Sequence, residues 1–306
     1  MNKKIITVKD LQNRDAKCIV WMPDNENAAR CILQISHGME EHIERYEDFA
    51  SYLCDNGYIV IGSDQVGHGI TLSKDELGYF GEGGYEGCID RLHCVTLKAK
   101  QMYPDLPIVL LGHSMGSFMA RGYITRYGKE LNGAVIMGTS GPNPALGMGK
   151  LLINIISLFK GERAKSRFIT KMMFGSYNKK FDGEGVYQWL TKRDDIKTAY
   201  ERDEYCGFGF TLNGYKGLVG ILGEVSNPKW ANDVPKELPI LIISGKDDPV
   251  GDYSKGVMTV YERLKESGVE DLRLKLFEND RHEILNETDN AEVYKYILDY
   301  LDSLIK

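Results

Sequence analysis

The sequence predicts an α/β protein in which helices cover both faces of a mostly parallel sheet. Short aliphatic segments alternate along the chain with segments of helical periodicity, a pattern typical of parallel strands joined by helical crossovers. The alternation stops between residues 141 and 235 and resumes after them. We therefore expect one core, formed by residues 1–140 and 236–306, that is interrupted by an inserted, mainly helical cap of residues 141–235.

Strands are expected where aliphatic and β-branched residues cluster between turn signals. These segments are residues 5–8, 17–22, 31–36, 58–62, 108–111, 134–137, 239–243 and 272–277. Helical patterns cover residues 46–54, 85–102, 118–127, 253–267 and 291–305. Asn56 and Gly57 end the first of these helices, and Pro104 ends the second.

The overall composition indicates a soluble globular protein without affinity for nucleic acid. Hydrophobic residues make up 42% of the 306 residues, which is ample for a packed core. The net charge of −6 argues against nucleic acid as a partner, because phosphate binding needs a basic face. We expect no signal peptide and no membrane-spanning segment, because the chain lacks apolar runs of the required kind.

The six cysteines show no C-x-x-C pair, and several fall in segments with strand or helix patterns. Buried free thiols in a reducing cytoplasm explain this distribution better than disulfides or a metal site. We therefore expect a cytoplasmic protein that holds no metal ion.

The segment 107–117, PIVLLGHSMGS, places a serine at a sharp turn between a strand and a helix. Gly112 and Gly116 flank Ser114 two positions away on either side, as a tight strand-to-helix turn requires. Such a turn presents the serine hydroxyl at a helix N-terminus, where a nucleophile is activated and an oxyanion is stabilised. The strand and helix patterns on both sides favour this function over a serine in an ordinary loop.

A serine nucleophile needs a base to accept its proton and a carboxylate to orient that base. His282 is the expected base, because it is the one of six histidines that follows both the serine and the later strands. The carboxylate is expected after the seventh predicted strand, where Asp247, Asp248 and Asp252 compete and spacing does not decide among them. Pro249 fixes the backbone after Asp248, which favours that residue.

Two backbone N–H groups are expected to form an oxyanion hole. One donor belongs to the residue after the nucleophile, here Met115. The second comes from the loop after an early strand, where Gly38 lets the backbone fold back so that the N–H of Met39 faces the substrate carbonyl. A histidine–glycine pair also occurs in ordinary turns, so this motif alone does not decide.

Five segments of the chain together resemble a known enzyme family. They are HGMEEHIERY at 37–46, DQVGHG at 64–69, GHSMGS at 112–117, GKDDPV at 245–250 and RHEILNE at 281–287. In these motifs the chain is similar to the monoacylglycerol lipase and lysophospholipase branch of the serine α/β-hydrolases, which is often grouped with the serine aminopeptidases. The similarity covers the whole core in order. One departure is Thr71, where related chains commonly carry serine, and we expect this change to be structural.

The resemblance implies the α/β-hydrolase fold, with a mostly parallel eight-stranded sheet and an inserted helical cap. It implies Ser114 as nucleophile, His282 as general base and Asp248 as the acid, because the family pattern places the acid fourth in G-x-x-D-P-V. Met39 and Met115 would supply the oxyanion N–H groups. The implied reaction is hydrolysis of a carboxylic ester through an acyl-enzyme, which requires neither a metal nor an organic cofactor.

The cap combines a basic segment with apolar residues. Residues 150–180 carry eight lysines and arginines against one glutamate, although the whole chain is acidic. The apolar run LLINIISLF lies within this segment at 151–159. Apolar residues beside cations are typical of segments that lie on a membrane surface, so transient membrane contact is one hypothesis. A helix packed over the core with a solvated basic face is the favoured interpretation of the same pattern.

Aromatic residues of the cap are expected to line a pocket for a small ester or lipid substrate. They are Phe168, Phe174, Tyr177, Trp189, Phe208 and Phe210, of which some must instead form the core of the cap. A long apolar pocket favours monoacylglycerols or lysophospholipids. A carboxylate placed for a free α-amine, with Glu201, Asp203 and Glu204 as candidates, would favour an aminopeptidase. A small-ester carboxylesterase and a non-catalytic binding protein on the same fold are further alternatives.

Overall fold

The computed structural model of the chain describes residues 1–305. Its strands are β1 (Asn2–Lys9), β2 (Asp15–Met22), β3 (Cys31–Ser36), β4 (Tyr58–Ser63), β5 (Ile108–His113), β6 (Gly133–Met137), β7 (Ile240–Gly245) and β8 (Leu272–Phe277). Every predicted strand is present. β3 and β8 have the predicted bounds, whereas β1 extends beyond both ends of its apolar cluster because its pairing with β2 continues there.

The strands form one sheet in the order β1-β2-β4-β3-β5-β6-β7-β8. β2 is antiparallel to both of its neighbours, β1 and β4, and all other neighbouring strands are parallel. The predicted mostly parallel, eight-stranded sheet is confirmed. Because the carboxyl ends of parallel strands meet at one edge of a sheet, the loops after β3, β5, β7 and β8 lie along the same edge.

Nine α-helices lie within residues 1–305. They are α1 (Glu47–Asp55), α2 (Gly84–Met102), α3 (Met115–Tyr127), α4 (Leu146–Lys160), α5 (Arg167–Phe174), α6 (Asp194–Arg202), α7 (Leu212–Ser226), α8 (Lys255–Glu266) and α9 (Asn290–Leu304). Residues of α1 and α9 belong to one hydrophobic cluster, and residues of α2, α3 and α8 belong to another. In β5, Ile108 and Leu110 join the second cluster, whereas Val109 and Leu111 join the first. Since successive side chains of a strand point to opposite faces, helices cover both faces of the sheet, as predicted.

Two helices near the sheet edge begin at other residues than the sequence predicts. α3 begins directly after Ser114, three residues before the predicted start, so the serine lies at the helix N-terminus itself. α8 begins after its predicted start, because Asp252, Tyr253 and Ser254 have φ values of 48°, 52° and 77°. These left-handed conformations are incompatible with a right-handed helix.

The helices α4 to α7 lie between β6 and β7 in chain order, in agreement with a helical insertion. α7 packs against α2 and α3 of the core, and its buried residues join the hydrophobic cluster on that face of the sheet. Lys165 and Thr211 form an isolated antiparallel bridge between the segment before α5 and the start of α7. The cap is thus anchored to the core through α7. Its division from the core at residues 141 and 235 stays a prediction.

All six cysteines are free thiols, as their spacing led us to expect. Within residues 1–305, none of the helices combines the length and the apolar character needed to cross a bilayer.

Candidate active site

Ser114 lies at the turn between β5 and α3, where the central strand of the sheet ends. Its φ of 54° and ψ of −122° are a strained backbone conformation for a residue with a side chain. A Cβ added at Gly116 would overlap with the carbonyl oxygens of Ser36 and His37, and one added at Gly112 would overlap with the carbonyl oxygen of Gly116. The close approach of α3 to β3 and β5 therefore requires glycine on both sides of Ser114.

The loop after β3 comes closest to Ser114 at Gly38. A Cβ added at Gly38 would lie 3.2 Å from the Cβ of Ser114 and 2.6 Å from Oε1 of Glu41, so the approach depends on glycine. Met39 follows in this loop, and Met115 opens α3, whose first N–H groups have no acceptor within the helix. Both methionines line the same cavity as Ser114, as donors to a substrate carbonyl oxygen must.

His282 lies in the loop between β8 and α9, and its Nδ1 is 2.9 Å from Oδ2 of Asp248, which follows β7. Both side chains are buried. The N–H of Val250 donates to Oδ1 of Asp248 at 2.8 Å and holds the carboxylate in place. Asp247 and Asp252 are exposed instead. Of the three competing aspartates, Asp248 is the one that is hydrogen-bonded to His282.

The second ring nitrogen of His282, Nε2, is buried and has no hydrogen-bond partner among residues 1–305. His282 and Ser114 line the same cavity. When Asp248 accepts a hydrogen bond from the N–H at Nδ1, Nε2 carries no proton and can act as the proton acceptor, which is the tautomer that a general base for a serine hydroxyl needs. The structure thus brings the predicted nucleophile, base and acid to one site.

A buried ionic network, which the sequence analysis did not identify, joins the loop after β3 to the loop after β8. Arg45 donates to the two carboxylate oxygens of Glu283 at 2.8 and 2.7 Å, and to Oε2 of Glu41 at 2.7 Å. Oε1 of Glu41 accepts the N–H of Gly38 at 2.5 Å. Arg45 therefore links the glycine that approaches the serine with the residue that follows His282. The available sequence signals were the i, i+4 spacing of Glu41 and Arg45 and the position of Glu283 beside His282.

The charges of this network are stabilised by one another. Burial by itself would raise the pKa of the Glu41 and Glu283 carboxyls, but the Arg45 guanidinium lowers both, and the pKa of Glu41 falls well below its usual range. Burial also disfavours the charged form of His113, yet the adjacent Glu41 carboxylate raises the pKa of this histidine. The ring of His113 lies 4.8 Å from the ring of His282. The network thus extends to the ring of the proposed base.

The cap is hydrogen-bonded to the loop that carries His282. The backbone N–H of His282 donates to the carbonyl of Trp189 at 3.3 Å, and the N–H of Glu283 donates to the carbonyl of Leu190 at 2.7 Å. The rings of Trp189 and His282 lie 5.1 Å apart. The position of this part of the cap therefore bears directly on the orientation of the histidine.

A cavity of about 1450 Å³ extends from Ser114 into the cap. Four of the six aromatic residues expected at the pocket line its wall, namely Phe174, Tyr177, Trp189 and Phe208. Phe210 is instead fully buried in the hydrophobic cluster that α7 shares with the core. Phe168 is 61% exposed and lies outside the cavity wall, because the next residue, Ile169, occupies the buried face of α5.

The three carboxylates considered for binding an α-amine also lie outside this cavity. Glu201 is exposed, and Glu204 forms a surface ion pair with Lys74 at 2.7 Å. Asp203 lies 2.8 Å from Nε2 of His42, so its carboxylate already has a partner.

Comparison with known proteins assigns the chain to a family. A family model described as serine aminopeptidase, S33, matches residues 27–289, which is most of the chain. A monoacylglycerol lipase of Mycolicibacterium smegmatis is 27% identical over 291 residues, covering 94% of this chain and 91% of that protein. The monoglyceride lipase of Mus musculus is 26% identical over 294 residues, covering 94% and 86% of the two chains.

A solved structure shares the same architecture over the full length. A thermostable carboxyl esterase from Bacillus coagulans, crystallised with glycerol, matches with a TM-score of 0.92 at 28% identity, and 100% of each chain is covered. The α/β-hydrolase fold that the resemblance implied is confirmed. The chain is thus a serine ester hydrolase that belongs to the serine aminopeptidase S33 family.

Proposed function

We propose that the protein hydrolyses monoacylglycerols or lysophospholipid-type esters with Ser114 as nucleophile, His282 as general base and Asp248 as the orienting acid. The observation that carries this proposal is the buried hydrogen bond between His282 Nδ1 and Asp248. It leaves Nε2 of the histidine as a proton acceptor at the wall of the cavity that Ser114 also lines.

The proposed reaction has two steps. Ser114 Oγ attacks the ester carbonyl and transfers its proton to His282 Nε2, and the collapse of the tetrahedral intermediate returns this proton to the departing alcohol. In the second step His282 takes a proton from water while the resulting hydroxide attacks the acyl-enzyme, and Ser114 recovers its proton as the carboxylic acid leaves. Asp248 stabilises the imidazolium that forms in both steps. The N–H groups of Met39 and Met115 donate to the oxyanion of both tetrahedral intermediates.

The size and lining of the cavity support a lipid substrate. Its volume of about 1450 Å³ exceeds the roughly 300 to 1000 Å³ of ordinary small-molecule sites. We propose Phe174, Trp189 and Phe208, which line the wall, as contacts for an acyl chain, whereas Phe168 is not available for this purpose on its exposed face of α5. The lipase names of the relatives, and a phospholipase of Bacillus subtilis that is 24% identical over 292 residues, agree with a lipid ester.

A small-ester carboxylesterase is the second candidate function. It is favoured by the full-length match to the Bacillus coagulans carboxyl esterase. The three carboxylates considered for an aminopeptidase, Glu201, Asp203 and Glu204, all lie away from the cavity and so give that alternative no support.

We further propose that the cap contacts a lipid surface during the reaction. Leu158 and Phe159, at the end of α4, are 84% and 86% exposed, and Lys160 ends the same helix. Exposed apolar side chains next to cations suit the interface of an anionic membrane. The protein would then be cytoplasmic and peripheral to the membrane, a location in which six free thiols are stable.

A substrate panel tests the proposed function. Rates would be measured for p-nitrophenyl esters of graded chain length, and beside them for a monoacylglycerol, a lysophospholipid and an aminoacyl anilide. We expect a preference for long acyl chains and cleavage of at least one of the two lipids. A preference for acetyl esters would favour the carboxylesterase, and cleavage of the anilide alone would contradict an ester substrate.

A further inference from the structure

Glu40 lies two residues after Gly38 and has a strained backbone conformation. Its φ of 55° is in the left-handed region, which residues with a Cβ seldom occupy. Its N–H donates to Nε2 of His68 at 3.1 Å, and its carbonyl accepts from the Tyr200 hydroxyl at 2.8 Å and from the N–H of Gly207 at 3.0 Å. These contacts fix a conformation that glycine would adopt at lower cost. A glutamate at this position therefore needs an explanation in its side chain.

Glu40 is one of the residues that line the cavity that contains Ser114. Its Oε1 is buried and has no hydrogen-bond partner among residues 1–305, and a buried acceptor without a partner costs free energy. Burial raises the pKa of Glu40 to about 7, although the backbone amides of Gly209 and Phe210 and the Lys165 ammonium partly offset the rise. The free protein thus keeps a buried, unsatisfied acceptor in a residue of the cavity wall.

Lys165 lines the same cavity and offers hydrogen-bond donors. Its Nζ donates one hydrogen bond among residues 1–305, to the carbonyl of Phe208 at 2.9 Å. An ammonium group has three N–H donors, so two remain for a ligand. Glu40 and Lys165 together therefore present an acceptor and donors on one cavity.

We propose that Glu40 is a specificity-determining residue that accepts a hydrogen bond from a free hydroxyl of a polyol ester bound at Ser114. Lys165 donates to an oxygen of the same alcohol. This inference deepens the proposed function and rests on it, because it names the alcohol that the enzyme selects.

A neutral hydroxyl suits this cavity better than an ammonium group does. An ammonium group only donates hydrogen bonds, so it could bind Glu40 but would leave the Lys165 donors on the same cavity without an acceptor. A hydroxyl can donate to Glu40 and accept from Lys165 at the same time. A site whose buried polar groups depend on the ligand for their partners discriminates strongly against analogues that lack the hydroxyl.

The test compares two esters of the same fatty acid, the monoacylglycerol and the methyl ester. The kcat/KM for the monoacylglycerol would be divided by the kcat/KM for the methyl ester, and this ratio would be measured for the wild type, for Glu40→Gly and for Glu40→Gln. Glycine removes the carboxylate and tolerates the positive φ, so the fold is expected to survive, which the urea unfolding midpoint would check. We expect Glu40→Gly to lower the ratio about 10-fold or more, mainly through a higher KM for the monoacylglycerol. Glu40→Gln keeps an acceptor oxygen and is expected to lower the ratio less.

Glu201→Gln is the matched control, because Glu201 is an exposed cap glutamate outside the cavity, and its ratio should equal the wild-type value. An unchanged ratio in Glu40→Gly, with both esters affected equally, would overturn the role of Glu40 in selecting the alcohol but would leave the proposed function standing. If the wild type cleaves neither of the two esters, both the proposed function and this inference are overturned. Aminoacyl anilide cleavage that depends on Glu40 would also overturn the inference, in favour of an ammonium ligand.

Discussion

Arg45 and the buried Glu283 form a largely buried bidentate ion pair, with nitrogen–oxygen distances of 2.8 and 2.7 Å. Glu283 directly follows His282 in the chain, and Arg45 also binds Glu41, which accepts the N–H of Gly38. One guanidinium group therefore fixes both the loop that approaches Ser114 and the loop that carries the proposed base. The two loops lie far apart in sequence, so Arg45 couples them only in the folded chain.

Replacing Arg45 by alanine should destabilise the fold strongly. The substitution leaves the carboxylates of Glu41 and Glu283 buried without their cationic partner, and breaking a buried ion pair costs about 3 to 5 kcal/mol. Urea unfolding followed by circular dichroism would measure the loss. Lys295→Ala, which removes an exposed surface pair with Asp299, should leave the urea midpoint within error of the wild type. Equal midpoints for the two variants would contradict a structural role for the Arg45 network.

The same network should make stability depend on pH in the acid range. The pKa values of Glu41 and Glu283 are lower in the folded than in the unfolded protein, because Arg45 stabilises their charged forms. The unfolded state therefore binds more protons as the pH falls below the ordinary glutamate pKa, and the free energy of unfolding decreases. We expect the wild type to begin losing this contribution below about pH 5 and to lose it progressively as the pH falls towards the lowered pKa values of the two carboxyls.

Arg45→Ala provides the control for this pH dependence. Without the guanidinium, burial raises the pKa of both carboxyls above the unfolded value, so acidification should no longer penalise the folded state at these two sites. The difference in unfolding free energy between wild type and variant is expected to shrink as the pH falls. A difference that stays constant from pH 7 to pH 3.5 would show that the two carboxylates do not titrate as their surroundings imply.

Asp248→Asn should lower kcat by about 10⁴-fold while the protein remains folded, because asparagine no longer enforces the Nδ1–H tautomer of His282. Asp247→Asn is the adjacent control. Asp247 is exposed, and we expect its substitution to leave kcat within about 2-fold of the wild type. Ester hydrolysis by the two purified variants would decide the matter. A larger loss of kcat in Asp247→Asn than in Asp248→Asn would show that Asp248 is not the orienting carboxylate.

The exposed end of α4 should matter for substrates in membranes but not for dissolved ones. The double variant Leu158→Ser and Phe159→Ser removes two side chains that are largely exposed, so stability should change little. We expect weaker flotation with vesicles that contain anionic lipid, and a lower rate on vesicle-embedded monoacylglycerol. Leu97→Ser, at an exposed position of α2 in the core, serves as the control. Flotation that is equal for all three proteins and insensitive to salt would contradict membrane contact through the cap.

The fold was largely predictable because its determinants are local. The strand residues Val109 and Leu111 face one cluster and Ile108 and Leu110 the other, so a strand covered on both faces has a continuous aliphatic sequence. The turn at Ser114 was also predictable, since Gly112 and Gly116 flank the serine within five residues, although the contact that requires Gly116 is with the adjacent strand β3. Where tertiary contacts decide, the sequence was less informative. The late start of α8 depends on three consecutive left-handed residues that no local propensity indicates.

The ionic network and the pocket were the parts that sequence could not supply. Arg45 and Glu283 are 238 residues apart, and a single sequence contains no signal that pairs them. Phe168 and Phe174 are both phenylalanines of the cap and look alike in the sequence. Phe168 is exposed whereas Phe174 lines the cavity, because the register of the short helix α5 decides which side chains are buried. Glu40 gave no signal at all, since its strained backbone and its unpaired oxygen exist only in the fold.

Covalent labelling of Ser114 tests the proposed catalytic role most directly. The wild type and Ser114→Ala would be treated with a fluorophosphonate probe, and the modified peptide would be identified by mass spectrometry after ester turnover has been measured on the same samples. We predict one adduct per chain on the peptide that contains Ser114, and neither labelling nor ester hydrolysis in Ser114→Ala, although this variant unfolds at the wild-type urea concentration. Hydrolysis retained by folded Ser114→Ala, or an adduct on another residue, would contradict the assignment of Ser114 as the nucleophile.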